Sequence, residues 1–303
     1  MKKIVVILGP TGIGKTAFAI RVARQFNGEI VGADSMQIYK HLTIGTAKPD
    51  PTELALARHH LIDFLEPEDE YDAGKFVRDA DQAIKEICSR AKVPVVAGGT
   101  GLYVRALLYG LFRTDSVCRK TVERLNRDVI KKGRRYVHER LADVDPQAAD
   151  RIHPNDTFRT IRALEVFLTT GEKISDRQKA HNFNQPRYHA LKIGLYLDRE
   201  KLYERINRRV DIMLEQGLLS EVEQLVEAGY PLDLKSMQSI GYQQMGLFLK
   251  GEADWPEAVR LLKRDTRRYA KRQMTWFRKE TDILWCKPDA YNEVKMKIKE
   301  FLT

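Results

Sequence analysis

The run Gly9-Pro10-Thr11-Gly12-Ile13-Gly14-Lys15-Thr16 follows the apolar stretch Ile4-Val5-Val6-Ile7-Leu8. It satisfies the pattern Gly-x4-Gly-Lys-Thr. Glycines at this spacing let backbone N–H groups turn inward around phosphate oxygens. Lys15 adds a point charge, and the Thr16 hydroxyl is suited to hold Mg²⁺ beside those oxygens. A helix beginning at Thr16 would offer its positive end to the same anion. The alternative is a glycine-rich turn without function, which the strand before and the helix after argue against.

Three further groups have types and positions suited to chemistry. Asp34, in "GADSMQIY", stands at the end of a second strand-like run. Asp and Ser both favour helix N-caps, but a carboxylate at a strand end beside a P-loop is also a candidate general base or metal ligand. Thr100, in "GGTGLYVRALL", sits in a tight turn suited to close approach of the backbone to a ligand. Arg205 and Arg209 are four residues apart on an expected helix and so share a face. That face is either solvated, with Glu204 and Asp211 nearby, or directed at phosphates. No acid follows the third strand run, which ends Gly98-Gly99-Thr100. A hydrolysing NTPase usually places a Mg²⁺-binding acid at such a position. The bound phosphates are therefore also candidates for a leaving group.

The elements that must position these groups follow from the hydrophobic pattern. Lys3–Leu8, Glu29–Ala33 and 93–97 read as strands, and Thr16–Gln25 and Ala73–Ala91 as helices. Strands alternating with helices predict an α/β fold with a parallel sheet flanked by helices, whose ligands lie at the carboxyl ends of the strands. The P-loop, Asp34 and Gly98–Gly101 all fall at such ends, so they are expected to converge. Residues 113–189 read as polar, basic and helical, with a loop over 182–187. Residues 188–197 return to a strand, followed by a long helical stretch with Leu202, Ile206, Val210, Met213 and Leu214 on its apolar positions. The expected organisation is a core of residues 1–112 and 190–303 interrupted by a helical insertion domain, 113–189.

Composition narrows the function classes. The chain has 303 residues, 43% hydrophobic and 31% charged, with a formal net charge of +10. This is a globular profile. No run suits a membrane span, and Met1-Lys2-Lys3 leads directly into a strand, which predicts no signal peptide. Cys88, Cys118 and Cys286 are far apart and predict neither a zinc site nor a disulfide framework; reduced, cytoplasmic thiols are expected. The positive charge clusters. "RLLKRDTRRYAKRQMTWFRK" interleaves Lys271, Arg272 and Arg278 with Tyr269, Trp276 and Phe277, and the insertion adds Arg119, Lys131, Lys132, Arg134, Arg135, Arg159 and Arg162. Basic residues among aromatics suit a nucleic-acid backbone. The alternative is an amphipathic helix with core aromatics. Both are expected to hold, with Trp276 and Phe277 packed inward.

The stretches "GPTGIGKT", "DSMQIYKHLTIGTAKP", "GGTGLYVRALL", "RIHPNDTFRTIRALEVFLTTG", "SIGYQQM" and "AKRQMTWFRK" together resemble the bacterial tRNA dimethylallyltransferases along nearly the whole chain. The P-loop is common to many families; Asp34–Pro49 and "AKRQMTWFR" are far more specific. The chain departs from the pattern at Phe158, where a polar residue is expected. It also lacks cysteines for the C-terminal zinc finger of many eukaryotic relatives. The resemblance implies a P-loop NTPase-like fold, a dimethylallyl diphosphate donor with Mg²⁺ and Thr16, and transfer to N6 of the adenine just 3′ of the anticodon. It implies Gly9, Pro10, Thr11, Gly12, Gly14, Lys15, Thr16, Arg205 and Arg209 at the diphosphate. Asp34, Thr100, Arg205 and Lys15 would carry the catalysis. At the tRNA it implies Asp34, Ser35, Met36, Gln37, Thr100, Arg119, Arg159, Arg162, Gly241, Tyr242, Lys271, Arg272, Gln273, Trp276 and Arg278. The insertion would grip the anticodon stem-loop, and the protein is expected to be a cytoplasmic monomer.

Other readings compete. A P-loop kinase of a small metabolite, using ATP, fits the first part of the chain but not the two basic segments. A non-catalytic RNA-binding module would not need Gly14-Lys15-Thr16 with Asp34. An enzyme prenylating free adenine nucleotides would not need the long insertion.

Overall fold

The computed structural model describes residues 1–111, 118–181 and 185–303. The sequence boundary at 112/113 and residues 182–184 of the expected loop lie outside them. The described chain forms two compact units, residues 1–108 with 187–303, and residues 109–186.

The first unit is built on a six-stranded parallel sheet in the order β3-β2-β4-β1-β5-β6. Its strands are β1 (Lys3–Leu8), β2 (Gly28–Gly32), β3 (His59–His60), β4 (Val93–Gly98), β5 (His189–Leu195) and β6 (Ile283–Cys286). The helices of this unit are α1 (Lys15–Gln25), α2 (Pro51–Leu56), α3 (Ala73–Ser89), α4 (Gly101–Tyr109), α9 (Arg199–Glu215), α10 (Leu218–Glu227), α11 (Tyr242–Leu249), α12 (Trp255–Phe277) and α13 (Tyr291–Leu302). The central strand β1 is apolar on both faces because both are covered. Val5 and Ile7 share one cluster with Phe18 and Val22 of α1, Ile206 of α9 and Val294 of α13. Phe76 of α3 stacks on Tyr103 of α4 at 4.4 Å between ring centres.

The short strands β3 and β6 were not evident from the sequence. The first has only two residues, and the second, Ile-Leu-Trp-Cys, is too brief to show a period. The helical stretch after β5 is two helices rather than one. Gly217, at φ 95°, ends α9 and opens α10.

The described residues of the second unit include the helices α5 (Arg119–Val144), α6 (Pro146–Arg151), α7 (Thr157–Thr170) and α8 (Ile174–His181), and no strand. Leu125, Val137, Leu141, Ile161 and Leu164 form its apolar centre. Buried Asp145 joins two helix starts, accepting from the Ala148 amide at 3.0 Å and the Ser175 amide at 2.9 Å. The long helix α5 breaks at Gly133 (φ 87°), between Lys131-Lys132 and Arg134-Arg135.

One buried charge cluster holds the sheet at the start of β2. The Glu29 carboxylate is 1% exposed and accepts from His60 at 2.7 Å, Arg90 at 2.7 Å and Lys92 at 2.9 Å. Burial alone would raise its pKa, but the hydrogen bonds from Arg90, His60 and Lys92 outweigh that and hold it down at about 2. Its contribution to stability is full above the ordinary carboxylate range and is lost as pH falls toward about 2. Glu29→Gln leaves cations packed around a neutral group. We expect it to cost about 3–5 kcal/mol in denaturant unfolding at neutral pH, with the gap to wild type closing in acid.

Candidate active site

The carboxyl ends of β1, β2 and β4 meet at one place. Register pairs Leu8 with Gly98 and Gly32 with Ala97. The chain leaves β4 so close to β2 that a Cβ on Gly98 would lie 2.0 Å from the Ala33 carbonyl oxygen. No other residue fits there. Beyond this contact the Thr100 amide donates to the Ala33 carbonyl at 3.2 Å, and the Thr100 hydroxyl accepts from the Ser35 amide at 3.1 Å. Gln273, from α12, fastens the third member. Its Oε1 accepts from the Thr11 amide at 2.8 Å, and its Nε2 donates to the Gly99 carbonyl at 2.9 Å. The P-loop, Asp34 and Thr100 are thus brought together, as their positions at strand ends predict.

Within the P-loop, Gly14 takes a left-handed conformation (φ 99°) and opens α1 without a side-chain cap. The first amides of the helix are left for a ligand. The Lys15 ammonium donates to the Pro10 carbonyl at 2.9 Å. Burial depresses its pKa to about 8; Asp34 raises it and Arg209 lowers it further. Burial likewise lowers the pKa of Arg209, again opposed by Asp34. Among the described residues Arg209 has no hydrogen bond or ion pair. Arg205 is exposed and donates to the Ile13 carbonyl at 3.4 Å. Both arginines stand on the P-loop side of α9; Arg209 faces the enclosed space and Arg205 the loop's outer backbone. Two cations therefore share a half-buried space near Asp34, with Glu53 also acting on Arg209, and the first amides of α1 open beside them, an arrangement suited to an anion.

Asp34 caps a turn rather than a helix. Its Oδ1 accepts from the Met36 amide at 2.9 Å and the Gln37 amide at 3.4 Å. This fixes the carboxylate and leaves Oδ2 for another partner. Residues 34–50 form an irregular excursion before α2, pinned from several sides. The Gln37 side-chain Nε2 donates to the Thr46 and Ala47 carbonyls at 3.1 and 2.9 Å. The Glu221 carboxylate of α10 accepts from the amides of Thr43 at 3.1 Å and Ile44 at 2.8 Å. The Tyr242 hydroxyl also donates to Glu221, and its ring lies against Gly45.

A cavity of about 180 Å³ opens beside the anion site, lined by Thr11, Met36, Gly45, Thr46, Ile206, Arg209, Val210, Met213, Ser239, Ile240, Leu262, Thr266 and Tyr269. Its side chains are mainly apolar. Burial, with Asp34 nearby, pushes the Tyr269 phenol above its usual range, so it stays a donor next to Thr100 and Gln273. A wider depression of about 520 Å³ over Arg21, Arg24, Glu53 and Leu56 includes none of these groups.

Gly241, Tyr242 and Gln273 lie inside the fold. All three were expected at a tRNA surface, and all three are buried. Tyr242 is 0% exposed and Gln273 is 5% exposed, and their polar atoms are taken by the loop and strand-end contacts above. In the structure Gln273 and Tyr242 support the P-loop and the 43–45 loop from behind. Lys271, Arg272 and Arg278 are exposed on α12 and at its end, and the half-buried Trp276 indole covers Gly101. Phe277 is buried. In the second unit Arg119 and Arg159 are exposed, the latter paired with Asp156 at 3.0 Å. Arg162 is half-buried against Glu165. Phe158 is 82% exposed.

Val210, Met213, Ile240 and Leu262 were missed as site residues. The spacing Ile206-Val210-Met213 did mark one helix face, but a core face and a cavity wall have the same apolar signature.

The parallel sheet, the phosphate loop at its central strand end and the adjoining cavity define an α/β protein of the P-loop type. The chain belongs to the IPP transferase family, which it matches over residues 37–280. It is 48% identical over 300 residues to the tRNA dimethylallyltransferase of Acetivibrio thermocellus, covering 99% of this chain and 96% of that one. The corresponding protein of Desulfosudis oleivorans is 48% identical over 301 residues, with 99% and 96% covered. Among solved structures, the tRNA isopentenylpyrophosphate transferase of Staphylococcus epidermidis superposes with a TM-score of 0.73 at 40% identity, covering 99% of this chain and all (100%) of that one. A eukaryotic dimethylallyltransferase acting on tRNA gives 0.80 at 30% identity, with 99% and 77% covered.

Because Lys15 titrates near pH 8 in the free protein, its charge is present below that pH and lost above it. A bound anion holds the proton on. Affinity for inorganic pyrophosphate is therefore expected to fall by up to about tenfold per unit above pH 8. Calorimetry in two buffers near pH 8.5 should show proton uptake that is absent in Lys15→Met. Gln273→Ala leaves the Thr11 amide and Gly99 carbonyl unpaired. It is expected to cost about 1–3 kcal/mol, read from thermal unfolding, and to weaken pyrophosphate binding.

Proposed function

We propose that this chain transfers a dimethylallyl group from dimethylallyl diphosphate to N6 of the adenine just 3′ of the anticodon in tRNA, releasing pyrophosphate. One observation carries the reading beyond the family membership: the anion site opens into a mainly apolar cavity of about 180 Å³. A kinase would need a polar acceptor site there. A phosphate-bearing hydrocarbon suits both halves.

In this reading the P-loop amides, Lys15 and Arg209 bind the diphosphate, with Arg205 on the loop's outer side. The cavity holds the five-carbon chain. The adenine leaves its stack to reach the reacting carbon, as for other enzymes that act on a base. Its exocyclic amine is a poor nucleophile because the lone pair is delocalised into the ring. Asp34, held by the Met36 and Gln37 amides, takes the proton as the amine attacks. The C–N bond forms as the allylic C–O bond breaks, and the electron pair of that bond leaves on pyrophosphate. Lys15 and Arg209 stabilise the charge that grows there. Thr100 and Ser35, joined by a hydrogen bond, border the place where the base enters.

Among the described residues no three His, Cys, Asp or Glu side chains stand together to hold a metal. Thr16 offers a half-buried hydroxyl at the helix start. That donor set suits Mg²⁺ carried on the diphosphate, since Mg²⁺ keeps waters and phosphate oxygens as most of its ligands. When bound, the ion would neutralise leaving-group charge.

For the tRNA, Lys271, Arg272 and Arg278, with Arg119, Arg159 and Arg162 of the second unit, supply backbone contacts. The second unit is assigned the anticodon stem-loop. No helix among the described residues is long and apolar enough to cross a membrane. The enzyme is assigned to the cytoplasm as a monomer.

Transfer of a radiolabelled dimethylallyl group to unmodified tRNA, with Mg²⁺ and no ATP, tests the reading. Phosphate transfer from ATP to a small molecule, without label in tRNA, would overturn it. Asp34→Ala is expected to lower turnover by about 10²–10⁴-fold while tRNA binding survives; near-normal turnover would remove Asp34 as the base. Lys271→Ala with Arg272→Ala is expected to weaken tRNA binding and flatten its dependence on salt.

A further inference from the structure

The cavity has a direction. Helices α9 and α12 lie side by side, and two cross-links fix their relative sense. Asn207 accepts from Arg267 at 2.6 Å, and Asp211 pairs with Lys263 at 2.5 Å. Numbers rise along α9 as they fall along α12, so the helices run antiparallel. Ile206 packs against Gly12 of the P-loop, and Tyr269 stands near Asp34 and Thr100. This is the reacting end. Along α9 the lining continues through Val210 to Met213, and along α12 through Thr266 to Leu262. Each run spans seven residue steps, which is about 10 Å of helix. Met213 and Leu262 therefore stand at the same level, at the end of the cavity far from the phosphate loop.

The volume sets a limit on what the space holds. An apolar cavity of about 150 Å³ holds a six-carbon ring. The cavity here, about 180 Å³, matches a five-carbon chain with little to spare and is too small for ten carbons. Leu262 is 2% exposed and fixed in the core, whereas Met213 is half-buried and flexible.

We propose that Met213, with Leu262 across from it, forms the end wall of the cavity and limits the transferred isoprenoid chain to five carbons. This rests on the prenyl-transfer reading above. It adds the residue that measures the chain. Shortening the side chain at 213 opens the slot toward solvent without touching the diphosphate groups. Enlarging it pushes back into the space of the five-carbon chain.

The test compares wild type, Met213→Ala and Met213→Phe with dimethylallyl and geranyl diphosphates as donors to unmodified tRNA. Inorganic pyrophosphate binding is measured beside them. Met213→Ala is expected to raise the geranyl-to-dimethylallyl ratio of kcat/KM by about 10- to 200-fold, the range for a methylene-sized change in an apolar pocket. Met213→Phe is expected to raise KM for dimethylallyl diphosphate while pyrophosphate affinity stays that of wild type; a merely structural role would move both. An unchanged donor ratio in Met213→Ala, with pyrophosphate still bound, overturns the end-wall assignment. Should that variant fail to bind pyrophosphate, Met213→Val is judged by the same ratio. Wild type that fails to use dimethylallyl diphosphate overturns the functional reading itself, and the end wall with it.

Discussion

Lys15 and Arg209 are held together in a half-buried space near the Asp34 carboxylate, with Glu53 also acting on Arg209. Burial penalises the charged form of each and is the main cause of both depressed pKa values, and Arg209 lowers that of Lys15 further. Asp34 offsets part of this cost, and a bound anion would offset more. The rest of the first unit serves to keep this arrangement in place without collapsing it. The sheet supplies three strand ends, the P-loop supplies amides, and α9 brings the arginine. The fold stores an electrostatic deficit that its ligand fills.

The supports behind the site are polar and buried. Gln273 ties the P-loop to the turn after β4 with both atoms of its amide, and Glu221 gathers the amides of the 43–45 loop. Both hold backbone that borders the cavity, at Thr11 and at Gly45. Each satisfies backbone groups that an irregular loop would otherwise leave unpaired in the interior. Function-bearing loops here are rigid because helices distant in sequence complete their hydrogen bonding. The family motifs "SIGYQQM" and "AKRQMTWFRK" therefore have a structural half. In the second, alternate sides of one helix serve opposite ends. Gln273 and Phe277 face inward, whereas Lys271, Arg272 and Arg278 face out.

The same helices give the site its chemical asymmetry. One end of the cavity is cationic and bordered by Asp34, Thr100 and Tyr269, all near the reacting carbon in the proposed reaction. The other end is apolar. A donor with a charged head and a hydrocarbon tail has one orientation in such a space, so its reactive carbon lies at the boundary. Orientation of this kind turns binding energy into positioning of the reacting atoms.

Much of this was legible in the sequence. The Gly-x4-Gly-Lys-Thr pattern between an apolar run and a helix, strands alternating with helices, and a basic aromatic C-terminal segment depend only on local spacing. The convergence of the P-loop, Asp34 and Thr100 followed from one rule about strand ends. The sequence did not reveal the two-residue strand β3, the break at Gly217, or the buried positions of Tyr242 and Gln273. Nor did it distinguish the core side of α9 from the side that lines the cavity. Periodicity reports that a face is shielded from water, and a cavity wall and a packed core are shielded alike. Only the antiparallel pairing of α9 with α12, set by contacts between residues some 60 apart in sequence, decided that Met213 and Leu262 face the same space. Local chemistry is written in neighbouring residues; the shape and depth of the site exist only once distant segments pack.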